Sequence, residues 1–157
     1  MEIVNKILVL AMGNDIMGDD GVSLEAAKHL KDYYGDNIII EDVFGGGFEL
    51  LDYMEGKEKV LIIDSISTGK HEQGTIMELS EREFHKIEAS SPHYVGLPEV
   101  IKISKLLNID FPSHIKILAV ETKPQLCLKE GLSPCIENSI PELVNKAKTI
   151  LDEWIKN

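Results

Sequence analysis

The chain is poor in cysteine and in long hydrophobic runs, and each shortage argues against a class of protein. Its 157 residues contain two cysteines, Cys127 and Cys135, which form neither a C-x-x-C redox pair nor a four-ligand zinc pattern, so two free thiols are predicted. No apolar stretch approaches the roughly 20 residues that span a bilayer, which argues against a transmembrane protein. The N-terminal segment is acidic and becomes strand-like at once, so no signal peptide is predicted.

Basic residues are also scarce: 16 Lys and Arg stand against 27 Asp and Glu, and the formal net charge is −11. A nucleic-acid-binding protein needs a basic face that neutralises phosphates, and an anionic membrane surface attracts basic segments. The charge therefore argues against both partners. With no leader and no membrane span in the sequence, the expected location is the cytoplasm.

Length and composition predict one globular domain over residues 1–157. Hydrophobic residues make up 43% of the chain and charged residues 27%, which is ordinary for a globular protein. At this length a chain can bury about 70% of its unfolded surface. No internal repeat, low-complexity tract or linker interrupts the sequence. A single domain is therefore expected.

Alternation of apolar runs with helical patterns predicts an α/β fold. The segments at residues 6–11, 38–43 and 59–64 each contain a short apolar run typical of a buried parallel strand, and amphipathic patterns follow the first two. We predict a three-layer α/β/α sandwich with a mostly parallel, twisted sheet of about five strands. A half-polar run at 74–79 is the expected antiparallel edge strand, and 115–120 is the last strand.

The sequence predicts four helices and a final helix whose start is ambiguous. Helices are predicted over 22–33, 48–54 and 97–107, and a capping box at 80–83 predicts a further short one. The final helix begins either at Ser133-Pro134 or at Ser139. The first choice places Pro141 inside the helix, so both starts remain open.

The turn GNDIMGDDG at residues 13–21 follows the first strand directly. Gly13 and Gly18 suit a sharp turn or a positive φ. One interpretation is a plain strand-to-helix connection in which Asp19 or Asp20 caps the next helix. The turn is neither a Walker A loop, since no Gly-Lys-Ser/Thr follows, nor a G-x-G-x-x-G dinucleotide loop. Phosphate binding is therefore not predicted.

Two further candidate ligands lie downstream of this turn. Asp64 ends the third predicted strand, where burial of a carboxylate is costly unless something pairs with it, and His93 follows Pro92. Taken singly, Asp64 also fits a loop-capping role and His93 a surface role. The carboxyl ends of parallel strands share one edge, so an acid of the turn, Asp64 and His93 are expected to converge. Two carboxylates and an imidazole suit a divalent transition metal.

Four segments together resemble the NiFe-hydrogenase maturation endopeptidases, which trim the C-terminal tail of a hydrogenase large subunit. They are the turn at 13–21, the strand that ends in Asp64, the Ser-Pro-His-x-x-Gly-Leu segment at 91–97 and the Gly-Leu-Ser-Pro run at 131–134. The resemblance covers nearly the whole chain. It implies an aspartyl-endopeptidase-like hydrolase in which Asp20, Asp64 and His93 contact the metal and Asp20 and Asp64 are catalytic.

The resemblance also implies where the metal comes from. These enzymes hold no permanently bound metal and recognise nickel already loaded into the precursor of the large subunit, which is the expected partner, although zinc or cadmium could occupy the site in a crystal. Neither nucleic acid nor membrane insertion is expected. Whether the nickel polarises the scissile carbonyl or an aspartate acts as general base stays open.

The remaining site residues are predicted to bind substrate: Gly13, Asn14, Asp42, Gly45 and Gly46. The family often has Asp-Gly-Gly after its second strand, whereas here two residues, Val43 and Phe44, separate Asp42 from the glycines. The local turn must therefore differ. A flexible connection is an equally good interpretation of this loop.

Three other functions fit parts of the sequence. A phosphorylatable receiver domain also has paired acids after its first strand, an Asp after its third and a Lys-Pro after its last, matched here by Lys123-Pro124. Its acids follow the strand at once, however, and it has no place for the 74–79 segment. The other two are a metal-dependent hydrolase with its own zinc or magnesium and a nickel-responsive chaperone of this fold that does not cut.

Overall fold

A computed structural model describes residues 6–87, 97–124 and 127–157. These residues form a five-stranded sheet in the order β2-β1-β3-β5-β4. The parallel strands are β1 (Ile7–Met12), β2 (Ile39–Val43), β3 (Lys59–Ile66) and β5 (His114–Glu121). The edge strand β4 (Ile76–Ser80) runs antiparallel to β5. The predicted mostly parallel sheet with one antiparallel edge strand is confirmed.

Helices cover both faces of the sheet, as the continuous apolar strands require. On one face lie α1 (Val22–Tyr34) and α6 (Ile140–Lys156), and on the other lie α2 (Glu49–Met54) and α4 (Leu97–Leu106). Successive strand residues point to opposite faces. Ile7 and Val9 of β1 therefore pack with α1 and α6, while Leu8 and Leu10 pack with α2 and α4. The three-layer prediction is confirmed.

The open question about the final helix is resolved by two helices rather than one. A short helix α5 (Pro134–Glu137) follows Ser133, and α6 begins after Ser139 with Pro141 in its first turn. A proline there loses no hydrogen bond, because the first N–H groups of a helix have no partner within it. The predicted capping box at Ser80 also forms, at the start of α3 (Glu81–His85).

One boundary prediction is wrong. Asp64 does not end its strand, because β3 continues to Ile66 alongside the long last strand, with Ser65 opposite Val120 and Ile66 opposite Glu121. The extra pairs continue the hydrogen-bonded ladder with β5. Asp64 is consequently fully buried within the sheet rather than at its margin.

The cysteines and the lengths of the helices bear on two smaller predictions. Cys127 and Cys135 are both exposed and free, as predicted. No helix formed by the described residues has the length and apolar character needed to cross a membrane.

A buried tyrosine joins α1 to α6. The Tyr34 hydroxyl donates a hydrogen bond of 2.7 Å to Asp152 Oδ1. Burial, and then the neighbouring Asp152 carboxylate, raise the pKa of Tyr34 above its ordinary value. Because this pKa is higher in the folded protein than in the unfolded chain, the contact contributes its full stability below about pH 10 and loses it as the pH rises further.

We expect Tyr34→Phe to lower the free energy of unfolding at neutral pH by about 1–2 kcal/mol and to weaken the loss of stability in alkali. Urea unfolding at neutral pH and at about pH 10.5 measures both effects. Tyr33→Phe is the control, since the Tyr33 side chain is 59% exposed. A wild-type alkaline decline in Tyr34→Phe would contradict the assignment.

Candidate active site

The loop at residues 13–21 folds back to the end of β1. The Gly13 N–H donates to the Val43 carbonyl at 3.1 Å, and the Asn14 N–H donates to the Asp20 carbonyl at 3.2 Å. A Cβ added to Gly13 would lie 2.2 Å from the Asp20 carbonyl oxygen, so a residue with a side chain does not fit there. The loop thus places Asp20 directly beside the carboxyl end of β1.

Ser65 contacts both candidate carboxylates. Its hydroxyl donates to Asp20 Oδ1 at 2.8 Å, and its backbone N–H donates to Asp64 Oδ1 at 2.7 Å. Asp20 is partly exposed, whereas Asp64 is fully buried. The two acids are 44 positions apart in sequence yet share one hydrogen-bonding neighbour, and sequence reasoning did not identify Ser65.

His93 lies outside the described residues, together with the rest of the Ser-Pro-His segment before Leu97. Within the described ranges, no group of three or more His, Cys, Asp or Glu side chains is arranged to hold a metal ion. Asp20 and Asp64 are therefore the part of the predicted triad whose surroundings the structure describes. The role of all three residues stays a prediction.

Asp19 does not cap a helix, and neither does Asp20, contrary to the plain interpretation of the loop. The helix α1 is preceded by a 3-10 turn at Gly18–Gly21 and has no side-chain cap. Asp19 is buried, and its carboxylate accepts hydrogen bonds from the Ser133 N–H at 2.7 Å and from the Ser133 hydroxyl at 2.8 Å. Ser133 satisfies this buried carboxylate with two donors, one on each carboxylate oxygen.

This contact explains the Gly-Leu-Ser-Pro run as an anchor for the loop. Backbone hydrogen bonds extend the anchor: the Gly18 N–H donates to the Lys129 carbonyl at 2.7 Å, and the Lys129 N–H donates to the Ile16 carbonyl at 2.9 Å. Side-chain and backbone contacts thus hold residues 16–19, which precede Asp20 in the loop, against residues 129–133. The sequence shows both segments but contains no local signal that they pair.

The residues predicted to bind substrate lie in several settings. Asn14 Oδ1 accepts from the Ile16 N–H at 3.2 Å, which shapes the loop from within. The Asp42 carboxylate on β2 forms an ion pair of 3.1 Å with Lys31 of α1. Gly45 and Gly46 are half-buried in the connection between β2 and α2. Substrate binding by these residues and by Gly13 remains a prediction.

A further buried acid, besides Asp19 and Asp64, lies at the end of β5. Glu121 is 2% exposed, and its carboxylate accepts hydrogen bonds from the Thr68 N–H, at 2.8 Å, and from the Thr68 hydroxyl. The Thr122 N–H donates to the Ile66 carbonyl at 2.8 Å. These contacts hold the chain that follows Asp64 and Ser65. An acid directly after an apolar run was the signal that singled out Asp64, and it would have found Glu121 too.

The arrangement has a clear chemical consequence. Two carboxylates held on either side of one serine repel each other and favour a nearby cation. Carboxylate oxygens, with an imidazole nitrogen, are ligands that divalent transition metals accept. A partly exposed carboxylate such as Asp20 can also take a proton from water. Cation binding and hydrolysis at this pair of carboxylates are therefore chemically reasonable and stay predictions.

Known proteins are similar to this chain over most of its length. Residues 24–150 match the family described as HycI, hydrogenase maturation protease. The hydrogenase 2 maturation protease of Escherichia coli K12 is 28% identical over 155 residues, covering 94% of this chain and 92% of that protein. The hydrogenase expression/formation protein HupD of Bradyrhizobium diazoefficiens is also 28% identical over 155 residues, covering 96% of this chain and 80% of that protein.

A solved structure is similar over almost the same extent. The hydrogenase maturating endopeptidase HybD from E. coli superposes with a TM-score of 0.78 and 27% identity, covering 94% of this chain and 93% of that one. The similarity includes the whole sheet architecture. It also spans far more of the chain than the four motifs that first indicated the family.

Proposed function

The chain belongs to the hydrogenase maturation protease family and is a peptidase, and from that premise we propose that it removes the C-terminal extension of a nickel-loaded NiFe-hydrogenase large-subunit precursor. In this proposal the nickel held by the precursor is the feature that the enzyme recognises. The observation that carries the proposal is the shared contact of Ser65 with Asp20 and Asp64. It supports a cation-binding pair of carboxylates at the end of the parallel strands.

Recognition follows from the charge of this pair. Asp20 and Asp64 repel each other, so a substrate that brings a divalent cation relieves the repulsion, and an empty precursor does not. His93 is the proposed third ligand. Affinity would then depend on metal loading, which makes the site a checkpoint for a finished metal centre.

The chemical step is the addition of water to the scissile carbonyl. Of the two proposed catalytic carboxylates, Asp20 is the better general base because it is partly exposed to water, and Asp64 is proposed to hold the cation. Two loops would border the substrate chain: the loop with Gly13 and Asn14, and the loop with Gly45 and Gly46. These roles are proposals for the residues concerned.

Membership of a peptidase family sets aside the receiver domain and the chaperone that does not cut. A hydrolase with its own metal is distinguished by analysis of the purified protein. Stoichiometric zinc or magnesium that survives dialysis would favour that alternative over recognition of nickel in the substrate.

The proposal predicts that cleavage depends on nickel in the precursor. We expect a nickel-loaded precursor to be shortened at one bond and the same precursor, stripped of nickel, to remain intact over the same time. Intact mass spectrometry of the precursor measures both. The stripped sample reloaded with nickel is the control for damage during stripping. Equal cleavage with and without nickel would rule out nickel recognition, and no cleavage of either would rule out this substrate.

A further inference from the structure

Exposed apolar side chains lie on the loop that carries Asp20 and on loops connected to it. We name four of them the apolar rim: Ile16, Phe44, Phe48 and Leu128, which are 46%, 61%, 62% and 73% exposed. Single exposed apolar residues are common and need no explanation. A group of exposed apolar residues near a functional site does need an explanation, because large exposed apolar patches mark surfaces that bind another molecule.

Hydrogen bonds connect the loops that carry the rim. Ile16 lies in the same loop as Asp20, and its carbonyl accepts from the Lys129 N–H, next in sequence to Leu128. The Gly13 N–H donates to the Val43 carbonyl, next in sequence to Phe44. Phe48 directly precedes α2, on the far side of the glycines that follow Phe44. The rim therefore continues from loop to loop around the one that carries Asp20.

Packing of the core does not account for these side chains. Val43 and Leu50, the neighbours of Phe44 and Phe48 that do enter the core, are 1% and 0% exposed, so the interior is filled without the two phenylalanines. The phenylalanine that interrupts the family's Asp-Gly-Gly pattern is thus turned to solvent. Tyr33, another exposed aromatic residue, has a different setting, because its ring lies under Lys148 Nζ at 3.9 Å.

We propose that the apolar rim binds the apolar protein surface that surrounds the metal in the substrate, an inference that rests on the proposed function. A metal site in a protein carries a hydrophobic shell around its ligands. A protein whose bound cation is accessible to a second protein therefore also exposes part of the hydrophobic shell around that cation. An acidic centre formed by Asp20 and Asp64 with an apolar border is complementary to a cation with an apolar border.

The test compares two pairs of exposed residues. We expect Phe44→Ser with Leu128→Ser, on separate loops, to raise KM for the nickel-loaded precursor about tenfold or more, as loss of anchor side chains at an interface does, with little change in kcat. Leu106→Ser with Leu107→Ser is the matched control, because those side chains are 80% and 64% exposed at the end of α4. The control is expected to keep the wild-type KM and kcat.

The outcomes separate this proposal from the proposed function. If the wild type cleaves the precursor and the rim variant keeps its KM, the rim proposal fails while the function stands. If the wild type cleaves no precursor, the function itself fails. A wild type that sediments as a dimer, and a rim variant that sediments as a monomer, would show that a second copy covers the rim and would overturn the proposal. Phe48→Ser, expected to raise KM as well, decides the case if the double variant does not fold.

Discussion

Asp64→Asn is expected to abolish removal of the C-terminal extension while leaving the protein folded. Asparagine keeps the shape of the side chain and can still accept the hydrogen bond from the Ser65 N–H. It removes the negative charge that the proposed site offers to a cation. A loss of at least about 100-fold in cleavage rate is expected, in line with the contribution of positioned catalytic groups.

The rate is measured as the decay of nickel-loaded precursor by intact mass, and folding is checked by urea unfolding. Glu78→Gln is the matched control, since Glu78 lies on a strand of the same sheet and pairs with Lys116 at 3.0 Å, apart from the site. It should cleave at the wild-type rate. Wild-type cleavage by Asp64→Asn would remove Asp64 from the proposed machinery.

Gly13→Ala is expected to reduce cleavage about 100-fold, because it displaces Asp20 without touching any charge. The added Cβ would meet the Asp20 carbonyl oxygen at 2.2 Å, and the obstacle is backbone, so the loop itself must move. Displacement of about 1 Å at a catalytic group can cost this much in rate. The hydrogen bond from the Ser65 hydroxyl to Asp20 should be lost with it.

The control for this variant is another glycine. Gly35 has a φ of 55° and nothing within 4 Å of an added Cβ, so Gly35→Ala meets backbone strain but no collision. It should lower the free energy of unfolding by about 1–2 kcal/mol and leave cleavage unchanged. If Gly13→Ala cleaves as the wild type does, the loop relaxes more easily than its contacts indicate.

The elements of the fold could be predicted because their signals are local. The run at residues 7–11 is apolar at every position and lies in β1, which is buried on both faces, and Ser80 with Glu83 marked the start of α3. The end of β3 could not be predicted in the same way. Asp64 is polar and looked like a terminus, but pairing with β5 decided that the strand continues to Ile66.

The hydrogen-bond partners of Asp19 and Asp20 also could not be predicted from local signals. Asp19 and Asp20 are neighbours in sequence and looked equivalent as helix caps. In the fold, Asp19 accepts from Ser133, 114 positions away, and Asp20 accepts from Ser65, 45 positions away. No local pattern distinguishes them, because each partner arrives from a different strand or loop.

The sequence by itself determined the order of strands and helices, the buried faces of the strands and the motifs that indicate the family, because periodicity and capping act over a few residues. Only the tertiary structure decided that Ser65 contacts both Asp20 and Asp64, that Asp19 anchors the loop and that loops with exposed apolar side chains are connected to the loop that carries Asp20. These features depend on contacts between segments distant in sequence, and the packing of the whole sheet brings those segments together.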